Sequence, residues 1–425
     1  MKITQLLGYQ VFDSRGRPTV AATLALSDGT FHTARVPSGA STGRHEAKEI
    51  RDHNSGSAEK LFGGNSVYRA CANINELIAP KLIGMPVDLP AIDQIIEDTD
   101  GTDNFGNVGA NAALAVSIVV AKSQAHAEGK SLARFFQPKD ALRLPMPMVN
   151  ILSGGAHANA TMDIQDVLVI PEGASTFREA ISWSSAIREA AMTDGAKMGA
   201  LTHLTADEGG LAIGFTTIDA ACEFLVSCIN KIGLETGKDV SLAIDFAATQ
   251  FYRDGKYQLR NAGKDYTAND FVSYISKLTR NQPILSIEDP FAEDDWDSWQ
   301  EFMADIPSRL QVIGDDLYTT NLDRLRKGIE TKASNAILIK PNQNGLLTQT
   351  LAVLKCARGS DFRTIVSARS GETEDSWLSD LAVGWGADQI KVGSTHGSER
   401  TSKWNRLLEL EATEDCLFSR PFSQG

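Results

Sequence analysis

The sequence lacks three features, and each absence argues against a class of protein. Its five cysteines are scattered and form no CxxC pair, which disfavours a disulfide framework and a structural zinc site. Its longest apolar run, residues 112–121, has about half the length that a membrane helix needs. The net charge of −13 provides no basic field for nucleic acid. The first residues also lack the apolar core of a signal peptide, so we expect a cytoplasmic protein without membrane or nucleic-acid partners.

The first third of the chain has the pattern of an α+β domain. Strands are predicted at 20–26 and 31–36, and helices at 66–82 and 110–128. The loop Pro37–Gly43 consists of small residues and has too few apolar side chains to pack.

The length of 425 residues predicts two or three domains. Pro138 and Pro145 bracket a predicted linker at 139–144. We therefore predict a boundary after residue 139, with an α+β domain at 1–139 and an α/β domain at 140–425.

Beyond residue 146, short apolar runs alternate with helix-length segments, which is typical of a parallel α/β sheet or barrel. Most of the runs recur about every 25 residues and end in polar or charged residues. These residues are Asp245, Glu288, Asp315, Lys340, Arg369 and Lys391. In a barrel the strand ends converge on one mouth, whereas an open sheet gathers only the groups near its switch point.

The three acids, Asp245, Glu288 and Asp315, would repel one another in a shared pocket. A hard divalent cation removes that penalty, and oxygen ligands favour Mg²⁺ over zinc. The alternative is that each acid caps a helix N-terminus.

Two lysines, Lys340 and Lys391, each follow an apolar run, where burying an ammonium group is costly without a role or partner. Near a bound metal ion and a second lysine, the pKa of a lysine falls, which makes it usable as a base. The alternative is a pair of structural salt bridges to the same carboxylates.

Three loops carry weaker signals. The glycines of Asp207–Gly210 allow close approach to a ligand, although a plain turn explains them equally well. His157 lies in a glycine-rich loop, where a lone histidine is more often solvated than catalytic. The segment Arg369–Glu372 suits a phosphoryl group, unless the arginine pairs with Glu372 or Glu374.

Several motifs resemble those of the enolase (phosphopyruvate hydratase) family, over nearly the whole length of the chain. The matching runs are Asp13–Gly16, Pro37–Gly43, Gly109–Ala112, Asp207–Gly210, Ser286–Trp296, Lys340–Gln343 and Ser370–Asp375. The resemblance implies an α/β fold, with an N-terminal α+β capping domain on an enolase-type eight-stranded α/β barrel whose second strand is antiparallel. It also implies proton abstraction beside a carboxylate, with metal ions stabilising the intermediate.

The resemblance implies a metal site with two Mg²⁺ ions. Asp245, Glu288 and Asp315 would bind the tighter ion. Ser41, on the Pro37–Gly43 loop, would help bind the second ion as the loop closes over substrate.

Four matching positions are implied in catalysis. Lys340 would remove the proton alpha to the substrate carboxylate, and Lys391 would contact that carboxylate. Glu208 would assist departure of the β-hydroxyl. Asp166 stands where enolases have a glutamate, so its carboxylate is retracted by about one C–C bond, ~1.5 Å.

The resemblance also implies a binding pocket for the substrate. Arg369 and Ser370 would hold its phosphoryl group. His157, Gln165 and Ala40 match other positions of the pocket.

One departure alters the phosphorus end of the pocket. Ala368 replaces the histidine that enolases have before the Arg-Ser-Gly-Glu run, while both lysines and the metal acids are kept. This pattern favours a specialised relative such as carboxyphosphonoenolpyruvate synthase, acting on 2-phosphoglycerate and a nucleotide-activated phosphonoformate. The alternatives are an ordinary enolase and a catalytically inactive, enolase-derived binding protein.

The resemblance implies a homodimer or a higher homo-oligomer. Ala21 and Glu409 occupy positions where enolases commonly have a glutamate and an arginine that pair across the dimer. That ion pair cannot form in this chain.

Overall fold

The computed structural model describes residues 1–39, 43–53 and 62–422. The N-terminal domain has three strands, β1 Ile3–Phe12, β2 Pro18–Leu26 and β3 Phe31–Arg35. Its helices are α1 Tyr68–Asn73, α2 Ala79–Leu82, α3 Leu89–Asp100, α4 Ala110–Ala127 and α5 Leu132–Phe136. A π-helical turn, Ile74–Ile78, joins α1 to α2, so the helix predicted at 66–82 is three pieces in succession.

The sheet β1-β2-β3 is antiparallel, and α4 packs against β2 and β3. This helix is buried along nearly its whole length because its alanines leave room for close neighbours on every side. It begins after Gly109, whose φ of 95° is one that L side chains rarely adopt. The helix α4 therefore forms the centre of the N-terminal domain.

The remaining strands are β4 Leu142–Leu144, β5 Met146–Ser153, β6 Asp166–Ile170, β7 Ser241–Asp245, β8 Tyr252–Arg253, β9 Lys256–Leu259, β10 Lys264–Tyr266, β11 Ile284–Glu288, β12 Gln311–Gly314, β13 Ala336–Ile339, β14 Arg363–Ser367, β15 Gln389–Gly393 and β16 Cys416–Phe418. The remaining helices are α6 Phe177–Lys197, α7 Ile218–Lys231, α8 Ala268–Asn281, α9 Trp296–Met303, α10 Leu322–Thr331, α11 Pro341–Asn344, α12 Leu347–Arg358, α13 Trp377–Gly384 and α14 Ser398–Thr413. Part of the predicted linker is β4, which pairs with β16 near the end of the chain.

Eight strands close into a barrel in the order β5-β6-β7-β11-β12-β13-β14-β15. The second strand, β6, is antiparallel to both neighbours, and the other pairs are parallel. The predicted barrel with an N-terminal domain is therefore confirmed. Because β6 runs in the opposite direction, its first residue, Asp166, lies at the mouth beside Ser153 and Asp245.

Most of the predicted strand ends are correct, with two exceptions. Lys391 lies in the middle of β15 rather than at its end, because Val392 and Gly393 continue the strand. The Asp207–Gly210 segment is a turn, which was the alternative to a strand end.

Among the helices that the structure describes, none is both long enough and apolar enough to cross a membrane.

Candidate active site

Three carboxylates and two lysines meet at the mouth of the barrel. Asp245 and Glu288 are the last residues of β7 and β11, and Asp315 follows β12. Lys391 Nζ donates to Asp245 Oδ2 and Glu288 Oε2, at 2.7 Å in each case. Lys340 follows β13 and pairs with Asp315. The structure thus brings together the predicted metal acids and the predicted lysines, and it forms the salt bridges that were the alternative role of the lysines.

The helix-capping alternative for the three acids is wrong. The helices that follow their strands begin with other capping side chains, namely Thr267 for α8, Asp295 for α9 and Asn321 for α10. The side chains of the three acids are therefore not used as caps of these helices, and at the mouth they pair with the two lysines.

The electrostatics of this cluster show an excess of negative charge. The pKa of Glu288 lies well above its usual range, because burial and the nearby charge of Asp245 outweigh the attraction of Lys391. The pKa of Lys391 is likewise raised, since the charges of Asp245 and Glu288 outweigh its burial.

The pKa of Lys340 differs from the expectation for a base. Burial lowers it, but the charge of Asp315 has the opposite effect and the net change is upward. The expected fall assumed a bound metal ion, and it does not hold for the protein alone because the attraction of Asp315 outweighs burial and the repulsion of Arg369.

The donor chemistry of the mouth fits a hard divalent cation. Among the described residues, two groups bring three possible ligand atoms within 4.8 Å of one another, namely His157, Asp166 and Glu208, and Asp289, Asp315 and Asp316. The predicted set shares Asp315 with the second group. The ammonium group of Lys391 lies between the other two predicted acids. A cation bound by Asp245, Glu288 and Asp315 would therefore neutralise the negative charge that the two lysines now balance.

The group of His157, Asp166 and Glu208 is centred on the histidine. Its Nδ1 lies 3.0 Å from Asp166 Oδ2, and its Nε2 lies 3.7 Å from Glu208 Oε1. Asp166 also accepts hydrogen bonds from Asn150 at 2.5 Å and Ser153 at 2.8 Å. These contacts hold the shortened carboxylate in the barrel wall.

The pKa values of His157 and of its partner Asp166 are both raised in this group, the latter because of burial. Burial lowers the pKa of His157, but the charges of Asp166 and Glu208 raise it to about 9. The pKa of Glu208 is lowered, because the positive charges of His157 and Arg400 outweigh its burial. The loop histidine is therefore buried and charged rather than solvated.

Gln165 links the predicted metal ligand Asp245 to Gln250. Its Nε2 donates to Asp245 Oδ2 at 3.2 Å, and its Oε1 accepts from Gln250 Nε2 at 2.8 Å.

The predicted phosphoryl ligand Arg369 is held by the N-terminal domain. Its Nη1 and Nη2 donate to the two carboxylate oxygens of Glu46, at 3.0 and 3.2 Å. Nη1 also donates to Asn342 at 2.9 Å. The ion-pair partner is therefore Glu46 rather than Glu372 or Glu374, because the N-terminal domain covers this side of the mouth.

Ser370 lies beside a second guanidinium group. Arg15 Nη1 donates to Ser370 Oγ at 3.4 Å, and Arg15 is itself fixed by an ion pair with Asp13 at 2.9 Å. Ser38 and Gly371 exchange two backbone hydrogen bonds. These contacts dock the N-terminal domain on the predicted phosphoryl loop.

Two residues that sequence reasoning missed, Arg400 and Lys403, lie behind the site on α14. The fully buried Arg400 donates to the carbonyl oxygens of Arg369 and Val392, at 2.7 and 3.0 Å. The fully buried Lys403 pairs with Glu372, whose other oxygen accepts from the backbone N–H of Arg369. Glu46 and Arg15 were missed as well. The only sequence signal for Arg400 and Lys403 was their place in an otherwise ordinary amphipathic helix.

Two predicted site residues, Ala40 and Ser41, lie outside the described residues, and their roles remain predictions. Ala368 is buried, and its N–H donates to the carbonyl oxygen of Lys391 at 2.9 Å.

Buried acids and lysines at the mouth of a closed α/β barrel are the arrangement expected of an enzyme active site. Residues 3–136 match the enolase N-terminal domain, and residues 141–417 match the enolase C-terminal TIM barrel domain. The chain belongs to the enolase family. It is an enolase-superfamily enzyme of the lyase type acting on a small substrate, and its acidic groups suit the Mg²⁺ that the family generally uses.

Proposed function

We propose that this enzyme forms an enolpyruvate phospho-ester by removing a proton beside a carboxylate and expelling the β-hydroxyl. The observation that carries the proposal is the buried cluster in which Lys340 and Lys391 face three carboxylates across one mouth. Lysines buried against acids in a cleft are candidates for proton transfer and for binding a carboxylate substrate.

The chain's own residues divide the reaction between two sides of the mouth. Lys340 Nζ takes the proton as the neutral amine, the form that a cation bound at Asp315 would favour by replacing the ammonium as the partner of that carboxylate. The electron pair of the broken C–H bond forms the C=C bond. The C–O bond to the β-hydroxyl breaks on the side of Glu208 and His157. The proton held between these two side chains completes the water that leaves.

Asp245, Glu288 and Asp315 would hold the tighter Mg²⁺, and Ser41 would assist a second ion. Bound Mg²⁺ supplies charge stabilisation for the substrate carboxylate as it becomes doubly negative.

We further propose that the substrate differs from that of an ordinary enolase at its phosphorus end. Ala368 presents only a methyl group beside Arg369, where the family has an imidazole. The proposed reaction acts on 2-phosphoglycerate and a nucleotide-activated phosphonoformate, as in carboxyphosphonoenolpyruvate synthase. The phosphorus of phosphonoformate leaves the nucleotide and becomes bonded to the C2 oxygen in place of the phosphoryl group, so the other products are a nucleoside monophosphate and inorganic phosphate. We also propose that the chain has two domains, at 1–139 and 140–425. We expect it to form a homodimer or a higher oligomer in the cytoplasm.

The test is ³¹P NMR of pure protein with Mg²⁺ and 2-phosphoglycerate, with and without a nucleotide ester of phosphonoformate. We expect a new enolpyruvate ester only in the mixture with the phosphonoformate ester, and no new ester with Lys340→Ala. The matched control is Lys277→Ala, an exposed lysine on α8. Rapid conversion of 2-phosphoglycerate alone, at the rate of an authentic enolase, would instead identify an ordinary enolase. Product formation by Lys340→Ala would refute the assignment of the base.

A further inference from the structure

A second cavity, of about 380 Å³, lies beside the candidate active site. It is formed by the loop after β5, residues 155–163, and by the segment after β7, residues 250–261. Its walls present two guanidinium groups, from Arg253 and Arg260, and several carboxamides. The volume is within the range of small-molecule binding sites.

The charge of this cavity is opposite to that of the rest of the protein. Arg253 and Arg260 are both exposed, and neither forms an ion pair within the part of the chain that the structure describes. The one carboxylate in the lining, Asp163, accepts the backbone N–H groups of Asn261 and Ala262 at 2.9 to 3.1 Å. Two uncommitted guanidinium groups in a protein of net charge −13 provide a local site for an anion.

The walls of the cavity are held in place before any ligand binds. Asn159 and Ala160 both have left-handed backbone, with φ of 51° and 57°. Each such residue costs on the order of 1 kcal/mol and persists only where its surroundings fix it. Here the Ala160 N–H donates to Gly155 O at 2.8 Å, and Asn261 Nδ2 donates to Ala160 O at 3.1 Å. The second bond links the two walls directly.

The cavity communicates with the reaction site through one pair of side chains. Gln250 lines the cavity and donates to Gln165, which donates in turn to the predicted metal ligand Asp245. The other wall leads directly to the buried His157. The cavity and the barrel mouth are therefore linked by this hydrogen-bonded pair.

We propose that this cavity is an anion subsite, which binds a phosphate or phosphonate group carried by a second substrate or by an extended one. Guanidinium groups bind phosphate-type oxygens through paired hydrogen bonds, and the carboxamides can satisfy further polar groups of the same ligand. The inference rests on the proposed function in one respect, because that proposal identifies the neighbouring barrel mouth as the reaction site.

The test measures anion binding without turnover. A failure of the anion-subsite proposal can therefore be told apart from a failure of the proposed function. Calorimetric titration with pyrophosphate, in EDTA and at low ionic strength, is applied to wild type and to Arg253→Gln, Arg260→Gln and Arg369→Gln. We expect each of the first two substitutions to weaken binding about fivefold, the size expected for one exposed ion pair. The Arg369→Gln variant lacks the predicted phosphoryl ligand of the reaction site and should retain the cavity binding.

The matched control is Arg69→Gln, an exposed arginine on α1 in the N-terminal domain. Equal binding by wild type and by the double variant Arg253→Gln/Arg260→Gln would overturn the proposal. Equal weakening by Arg69→Gln would also overturn it, because surface charge alone would then explain the binding. Complete loss in Arg369→Gln would place the anion in the reaction site instead.

Discussion

At the scale of single residues, the charge of His157 shows how the mouth determines protonation. Two carboxylates face its two ring nitrogens, and they raise its pKa although burial opposes this. The loop pattern alone favours a solvated histidine at this position, whereas the resemblance places it in the substrate pocket; it is in fact buried with a raised pKa. The sequence pattern gave no indication of this, because Asp166 and Glu208 come from a strand and a turn that only the folded barrel brings together.

The raised pKa of His157 makes part of the stability depend on pH. Because the pKa is higher in the folded protein than its usual 6.5, the contribution is complete below about pH 6.5 and is lost as pH rises towards 9. We expect wild type to lose on the order of 2 kcal/mol more free energy of unfolding over this range than His157→Asn. Urea unfolding between pH 6 and 9.5 measures it. His203→Asn, an exposed control, should follow wild type, and identical slopes for His157→Asn and wild type would contradict the assignment.

At the scale of elements, the repeat of apolar runs predicted a parallel α/β sheet or barrel and most of its strand ends, and the resemblance selected the barrel. The prediction of the strand ends succeeded because parallel strands bring their carboxyl ends to one mouth. The antiparallel β6 followed only from the resemblance, since no local pattern distinguishes strand direction. Lys391 was misplaced because a single charged residue inside a short apolar run looks like its end.

The contacts of α14 were beyond prediction for a different reason. Arg400 donates to the carbonyl oxygen of Asp207, 193 residues away in sequence, and to that of Arg369. Such distant pairings depend on the closed barrel, and the residues carry no motif of their own. The helix thereby fixes the three segments that carry Glu208, Arg369 and Lys391.

Replacement of Arg400 by leucine should therefore destabilise the whole protein. The substitution leaves several buried carbonyl groups without donors, and we expect a loss of about 3 kcal/mol or more in the free energy of unfolding. Urea unfolding at pH 7 measures the loss. Asn405→Ala, an exposed change on the same helix, should remain within about 0.5 kcal/mol of wild type. A loss below about 1 kcal/mol for Arg400→Leu would show that other groups support these segments.

At the scale of the whole molecule, the site belongs to both domains. Glu46 of the N-terminal domain holds both terminal nitrogens of Arg369, 323 residues away, and Arg15 contacts Ser370. The barrel alone provides the acids and lysines, while the N-terminal domain holds the predicted phosphoryl ligands Arg369 and Ser370.

Glu46 should compete with a phosphoryl group for the same guanidinium nitrogens. We expect Glu46→Gln to bind inorganic phosphate about threefold to tenfold more tightly than wild type, because a neutral amide is the weaker competitor. Calorimetric titration in EDTA measures the dissociation constant. Glu76→Gln, an exposed change in the same domain, should have no effect. Unchanged or weaker binding in Glu46→Gln would mean that the ion pair supports the phosphoryl site instead.

The most direct test of the central claim is breakage of the C–H bond at C2 of 2-phosphoglycerate. In D₂O with Mg²⁺, alone and with a nucleotide ester of phosphonoformate, ¹H NMR records the loss of the C2 proton signal. The account predicts loss with wild type and with Lys277→Ala, and loss slower by about a thousandfold with Lys340→Ala. Equal rates in wild type and Lys340→Ala, or no loss with wild type in either mixture, would contradict lysine-base proton abstraction at this mouth.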